Sequence, residues 1–149
     1  MYTYEVEEYQ DCIKEVSAHY EEHWKELAAD PSIPLNPHYE QYNLIALAGL
    51  LHVTTVRYNG KLVGYHFAML SPHLHYKQSL TAFTDIFYLE PEHRNGWISV
   101  KLFKTMESTL KDRGVQRIYM GTKLKSDIGP ILDRLGYNPI ERLYTKIIG

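Results

Sequence analysis

The stretch Thr81–Lys111, TAFTDIFYLEPEHRNGWISVKLFKTMESTLK, sets a strand-like run against an amphipathic helix and joins them through a short turn. Thr81 to Leu89 is rich in β-branched and aromatic residues and lacks Gly and Pro. It reads as a well-buried strand that stops at Glu90-Pro91, where proline cannot continue a ladder. After the turn, Ile98, Leu102, Met106 and Leu110 recur every four residues with Phe103 beside them. Lys101, Lys104, Ser108 and Lys111 fall mostly on the other side, so the helix has one apolar and one basic face. The join is Arg94-Asn95-Gly96-Trp97-Ile98-Ser99, in which Gly96 permits a tight turn. The first N–H groups of the helix lack partners within it and can point at an anion.

Upstream, Tyr2 to Val6 alternates weakly as a first strand, and Glu7 to Ala29 predicts one helix with Cys12, Ile13, Val16, Tyr20, Trp24 and Leu27 on one face. Three prolines in Asp30–Pro37 make a loop, and Tyr39 to Gly49 resumes helical spacing with Asn36 as the expected cap. Leu51–Tyr58 and Lys61–Leu70 are β-rich runs around Asn59-Gly60, a strong hairpin signal. Ser71–Ser79 is expected to be a loop or the end of a longer hairpin, leading into the central strand. Downstream, Gln116–Gly121 predicts a strand, Asp127–Leu135 a short helix ending at Gly136, and Tyr137–Ile148 one or two final strands.

Composition bounds the function. The chain has 149 residues, enough for one domain with a real core and too few for two, so one domain over 1–149 is expected. Sixteen Lys+Arg against eighteen Asp+Glu leave a net charge of -2, which argues against nucleic-acid binding by bulk charge. Residues 1–30 hold nine acids and two lysines, whereas residues 94–125 hold eight bases and two acids. One cysteine, Cys12, excludes an internal disulfide, and no run is long enough to span a membrane. The expected location is the cytoplasm, with no membrane partner.

Strand, Glu-Pro, Arg94, turn and amphipathic helix together resemble the acetyl-CoA-binding motif of the GCN5-related N-acetyltransferase (GNAT) superfamily, whose usual form is R/Q-x-x-G-x-G/A. Arg94 matches the first position and Ser99 the last, but Trp97 stands where the family normally has glycine, with Gly96 one residue away. The order of predicted elements is similar to the superfamily's, and Arg134-Leu135-Gly136-Tyr137 resembles its closing K-L-G-F segment. His23-Trp24, Gly64-Tyr65 and Pro72-His73-Leu74-His75-Tyr76 resemble its short phage-borne branch. The resemblance implies an α+β (α/β) GNAT fold. Its mixed, mostly antiparallel central sheet would have six to seven strands flanked by about four helices.

It also implies acetyl-CoA as co-substrate, with no metal, and a small-molecule or lysine amine as acceptor. The backbone of Phe87, Tyr88 and Leu89 would pair with the pantetheine arm, and Arg94, Asn95, Gly96, Trp97, Ile98 and Ser99 would take the pyrophosphate. A homodimer is compatible with the resemblance. The acidic first helix suits a cationic acceptor. Nucleic acid is the less favoured partner, although some phage members of the superfamily modify nucleobases.

Asp85 is the candidate base. It lies in F-T-D-I-F-Y-L, where strict alternation puts Phe83 and Phe87 on its face and partial desolvation raises its pKa. His73, His75 and Tyr76 are candidate acceptor contacts just before the central strand. The family's general acid, a tyrosine in the last helix, is replaced by Leu132, which leaves Ser126, Tyr137 or water to protonate the thiolate. Trp97 and Leu132 motivate the alternative of a CoA-binding or interaction module without catalysis. His19-Tyr20-Glu21-Glu22-His23 matches the inverted zincin pattern H-x-x-E-H, but nothing else in the sequence supports a zinc peptidase.

Overall fold

The computed structural model describes residues 1–149. Five strands form one sheet in chain order: β1 (Tyr2–Val6), β2 (Leu51–Tyr58), β3 (Lys61–His73), β4 (Tyr76–Leu89) and β5 (Val115–Tyr119). The first four pair antiparallel, and β5 lies parallel to β4. Helices α1 (Tyr9–Ser17), α2 (Tyr20–Leu27) and α3 (Tyr39–Leu47) precede β2. A 3₁₀ turn (Pro91–His93), α4 (Trp97–Asp112) and α5 (Gly129–Arg134) follow β4.

The sheet separates two apolar layers. On one face Tyr9, Cys12 and Val16 of α1 pack on Val53, Tyr65, Phe67 and Tyr88, with Ile45 of α3 against them. On the other, Phe103, Met106 and Leu110 of α4 pack on Ala68, Leu70 and Ala82, while Ile98 and Leu102 meet Val56, Val63 and Leu89. The apolar stripe of α4 is therefore the one its four-residue spacing predicts. Asn59 and Gly60 both have positive φ, 50° and 84°, as a two-residue hairpin turn of the twisted sheet requires.

Several expectations are corrected or narrowed. The helix predicted over Glu7–Ala29 is two helices, broken at Ala18-His19. His19 Nδ1 lies 2.8 Å from the Glu15 carbonyl, where its own backbone N–H would bond in a continuous helix, and that N–H turns to Val16 O instead. Of the two alternatives for Ser71–Ser79 the structure has the end of a long hairpin and no loop, because β3 runs to His73 and β4 starts at Tyr76. Pro72 is tolerated there because the β3–β4 register slips at Pro72/His73. The cap of α3 is His38, whose Nδ1 accepts from the Gln41 amide at 3.2 Å, in place of Asn36. The sheet has five strands, short of six to seven, and five α-helices flank it where about four were expected. Residues 138–149 form no strand, and Ile140, Leu143, Tyr144 and Ile148 are exposed.

Candidate active site

The parallel β4–β5 pairing covers only Leu80–Phe83 of β4, although β4 continues to Leu89 on β3. From Thr84 to Leu89 the edge of β4 that faces β5 has no strand partner, so the two strands part and leave open backbone donors and acceptors. By strand rise this edge is about 17 Å long.

The parting coincides with a β-bulge. Phe67 of β3 pairs with Ile86 and the next residue, Ala68, with Thr84, so Asp85 is the extra residue. The bulge changes which side chains share a face. Thr84 turns toward the α4 side, where its hydroxyl meets His66 Nε2 at 2.9 Å, while Asp85 points to the α1–α3 side and is hydrogen-bonded by the Tyr42 hydroxyl. Phe83 stays on the side of Asp85, stacked on Tyr119 at 4.9 Å. Phe87 lies 4.7 Å from Phe103 on the α4 side. Strict alternation, which put Phe83, Asp85 and Phe87 on one face, fails at this one residue.

Asp85 opens to solvent on one side and is crowded by Tyr20 and Tyr42 on the other. Burial pushes its pKa above the ordinary aspartate value, and the Tyr42 hydrogen bond opposes that rise. Tyr42 is itself held above the usual phenol range, by burial first and then by Asp85. Tyr20 is also raised, chiefly by burial, and stacks near Tyr39, so the carboxyl sits under a tyrosine-rich wall from α2 and α3. Sequence reading missed Tyr20, Tyr39 and Tyr42; the only available signal was the density of tyrosines in α2 and α3.

At the far end of β4, Gly96 (φ 88°) delivers the chain into α4. The Trp97 side chain is 73 % exposed and joins none of the apolar layers of the core. The amides of Trp97, Ile98 and Ser99 have no intrahelical acceptors within reach, and no acidic residue lies in the first turn. Ile98 and Ser99 are buried, while Asn95 is exposed. The Arg94 side chain is already engaged: Nε donates to Leu89 O at 2.7 Å, and Nη2 contacts both carboxylate oxygens of Glu26 at 2.8 Å. Its guanidinium also lies 5.6 Å from the Tyr88 ring centre.

Behind the cleft, His23 Nδ1 is 2.8 Å from the Tyr65 hydroxyl and its ring stacks on Tyr88. Burial, then Arg94, pulls the His23 pKa down to about 4, so the ring is neutral near pH 7. His19 Nε2 meets Glu90 at 2.8 Å. The two histidines of the H-x-x-E-H pattern thus have separate partners, and no trio of His, Cys, Asp or Glu is placed to hold a metal ion.

His73, His75 and Tyr76 cluster at the β3–β4 tip, with His73 5.0 Å from Tyr76 and 6.4 Å from Phe83 between ring centres. None of the three hydrogen-bonds Asp85, whose carboxylate is met by Tyr42. Leu132 is buried, and Tyr137 lines a groove at the start of β5, the end away from the parting strands.

This geometry has a counterpart among known families. The profile of the Acetyltransferase (GNAT) family matches residues 10–128. The chain belongs to that family. No curated protein matches its sequence significantly. Solved structures similar to this GNAT protein include a GCN5-related N-acetyltransferase from Ralstonia eutropha JMP134, at TM-score 0.80 and 17% identity, covering 100% of both chains. A predicted acetyltransferase with acetyl-CoA from Clostridium acetobutylicum is similar at TM-score 0.73 and 15% identity, over 99% of this chain and 96% of that one. An aminoglycoside acetyltransferase from an uncultured soil metagenomic sample, in complex with sisomicin, gives TM-score 0.74 and 12% identity over 99% and 97%. At these identities the likeness is one of fold. The GNAT protein shares the overall fold of all three. No helix of the chain is long and apolar enough to cross a membrane.

Proposed function

We propose that this chain, acting as one domain, transfers the acetyl group of acetyl-CoA to a primary amine by direct attack within a ternary complex. The observation that carries the reading is the bulge at Asp85, which presents a carboxyl with a raised pKa on the acceptor side where β4 parts from β5. A similar fold solved with acetyl-CoA supports the donor, and an aminoglycoside acetyltransferase of similar fold solved with sisomicin supports an amine acceptor.

The chemistry follows from the residues. The open edge Thr84–Leu89 offers backbone groups to the amides of a pantetheine arm, and the N-terminus of α4 offers free amides to the pyrophosphate. Asp85 accepts a proton from the ammonium form of the acceptor, the amine nitrogen bonds to the thioester carbon, the C–S bond breaks to release CoA thiolate, and the second proton of the nitrogen passes to solvent water as the amide forms. With Leu132 in place of the family's tyrosine, the thiolate leaves without a phenol donor and takes its proton from water. A thiol with an ordinary pKa near ~8.5 is a tolerable leaving group on those terms. The tyrosine wall and the acidic first helix favour a cationic acceptor over a neutral one. His73, His75 and Tyr76 would touch only the distal part of a large acceptor. The motifs His23-Trp24, Gly64-Tyr65 and Pro72–Tyr76 support a place in the short phage-borne branch.

The test is thiol release from acetyl-CoA across an amine panel, with acetyl-CoA binding measured in parallel by thermal shift. Asp85→Asn should lower turnover on the order of 10²-fold while leaving the acetyl-CoA shift intact. Acetyl-CoA binding with no release on any amine would instead support a CoA-binding module that has lost catalysis, and absence of any shift would remove both readings.

A further inference from the structure

A bulge aims its extra residue reliably only when the strand is pinned before and after it, and here both pins lie on the face of the sheet opposite Asp85. Asp85 meets Tyr42 and Ile86 packs on the α1 layer, so both turn away from α4. On the α4 face the successive residues of β4 are therefore Thr84 and Phe87, three positions apart where a regular strand has two. The later pin is apolar, Phe87 against Phe103 with ring centres 4.7 Å apart. The earlier one is a single polar contact, the Thr84 hydroxyl 2.9 Å from His66 Nε2.

His66 of β3 has Phe87 as its cross-strand partner and so stands beside the widened gap. It touches both pins: its ring meets Phe103 edge-on at 6.2 Å between centres, and Nε2 reaches back to Thr84. The side chain is fully buried, and burial pulls its pKa down to about 3, so the ring is neutral. As mere filling for the layer under α4 it is a poor choice. Nδ1 has no hydrogen-bond partner within the protein, and a buried polar atom in that condition costs stability that a phenylalanine of similar shape would not. What the imidazole supplies and a phenyl ring lacks is the bond to Thr84.

We infer that His66 is a positioning residue for the Asp85 carboxyl: through the Thr84 hydroxyl it fixes the start of the bulge, and with it the direction in which Asp85 meets Tyr42. Its catalytic meaning rests on the proposed role of Asp85 as base. Thr84 immediately precedes Asp85, so a rotation of its backbone passes straight into the carboxyl. On the α1–α3 side the carboxyl is held by the Tyr42 hydroxyl, with Tyr20 the other titratable group that senses it. Without the bond to His66 the start of the bulge has no anchor, and the carboxyl swings out of reach of Tyr42. Phe87 still packs on Phe103, so the residues after the bulge keep their faces.

The bond can be deleted without stranding a buried partner by changing both residues, His66→Phe/Thr84→Val, since apolar replacement of a hydrogen-bonded pair by groups of similar shape is close to neutral for stability. The readout is the Asp85 carboxyl in the unliganded protein, titrated by carbon NMR of isotope-labelled aspartate, with Asp85→Asn assigning the signal. Tyr42→Phe should raise that pKa by about one unit in the native background. In His66→Phe/Thr84→Val the same change should move it by less than about a third of a unit, because the contact it removes is no longer made. Thr84→Ser keeps the hydroxyl and should keep the full response. Thr84→Val alone, the fallback where the double variant does not fold, should lose it. In acetyl transfer the double variant should lose about ten- to a hundredfold in kcat, with acetyl-CoA affinity by titration calorimetry unchanged. A folded His66→Phe/Thr84→Val protein that retains the full response to Tyr42→Phe overturns the inference, as does loss of the response in Thr84→Ser. Loss of the response in the double variant with kcat intact upholds the positioning and removes Asp85 as the base, so the two readings fail separately.

Discussion

Replacing Tyr42 with Phe isolates the contact that sets the Asp85 carboxyl. Burial raises the Asp85 pKa and the Tyr42 hydroxyl, donating to the ionised form, holds it down, so losing the hydroxyl lets the pKa rise further. A hydrogen bond to a charged group is worth ~1.5–3 kcal/mol. Asp85 is open to water on one side, which recovers part of that, so ~1.4 kcal/mol remains as a working figure, equivalent to about one pH unit. In Tyr42→Phe the acid limb of the kcat/KM profile for acetyl transfer should therefore move up by about one unit. The plateau at higher pH, where Asp85 is ionised in both proteins, should change little.

The same shift has a stability sign. A carboxyl whose folded pKa is raised contributes stability that is complete below the unfolded value of ~3.9 and is lost as pH rises through the folded value. Tyr42→Phe should consequently lose more melting temperature at neutral pH than at pH 3. The assay is thiol release over pH 5–9 at subsaturating amine, with Tm by calorimetry at pH 3 and at pH 7. An acid limb that stays in place in a folded Tyr42→Phe protein would refute the assignment of that limb to Asp85. Persistence of the same limb in Asp85→Asn would do so independently.

Two further perturbations test the donor side. The Arg94–Glu26 pair is about one-third exposed, 37% and 29% at the two side chains, so it is worth ~0.5–1 kcal/mol, and it occupies the guanidinium that a phosphate would take. Glu26→Gln should tighten acetyl-CoA about two- to fivefold by titration calorimetry. Weaker binding would mean that Glu26 positions Arg94 instead of competing for it. A methyl group on Gly64 would lie 2.8 Å from Leu89 Cδ1 and Val56 Cγ1 and 2.9 Å from the Tyr88 carbonyl, all at the end of β4 that the cofactor is expected to meet. Gly64→Ala should cost ~1–3 kcal/mol and lower Tm by several degrees, with weaker acetyl-CoA binding. An unchanged Tm would show that β4 yields there without penalty.

How far the molecule could be read from its sequence depended on the range of each interaction. Helix α4 was legible because Ile98, Leu102, Met106 and Leu110 repeat within one helix, and the Asn59-Gly60 hairpin because its signal is two adjacent residues. The break after α1 was not, since it depends on a histidine that reaches Glu90, 71 positions away. The final strand was predicted from alternation that is real, but alternation within a segment does not fix its long-range partner, and residues 138–149 pair with no strand. Asp85 falls between these cases. A carboxyl amid aromatic residues marked it, yet its presentation to the acceptor side depends on the β3 register, which slips between Phe67 and Ala68. The slip has a consequence beyond Asp85. Side chains alternate with period two, so the extra residue decides the facing of everything after it. With the bulge, Phe87 and Leu89 pack under α4 while Tyr88 faces His23 and Tyr65. Without it those assignments would exchange, and Tyr88 would be driven into the layer that Phe103 fills. The packing of α4 therefore holds the bulge in place, and the position of the candidate base is maintained by apolar contacts on the opposite face of the sheet.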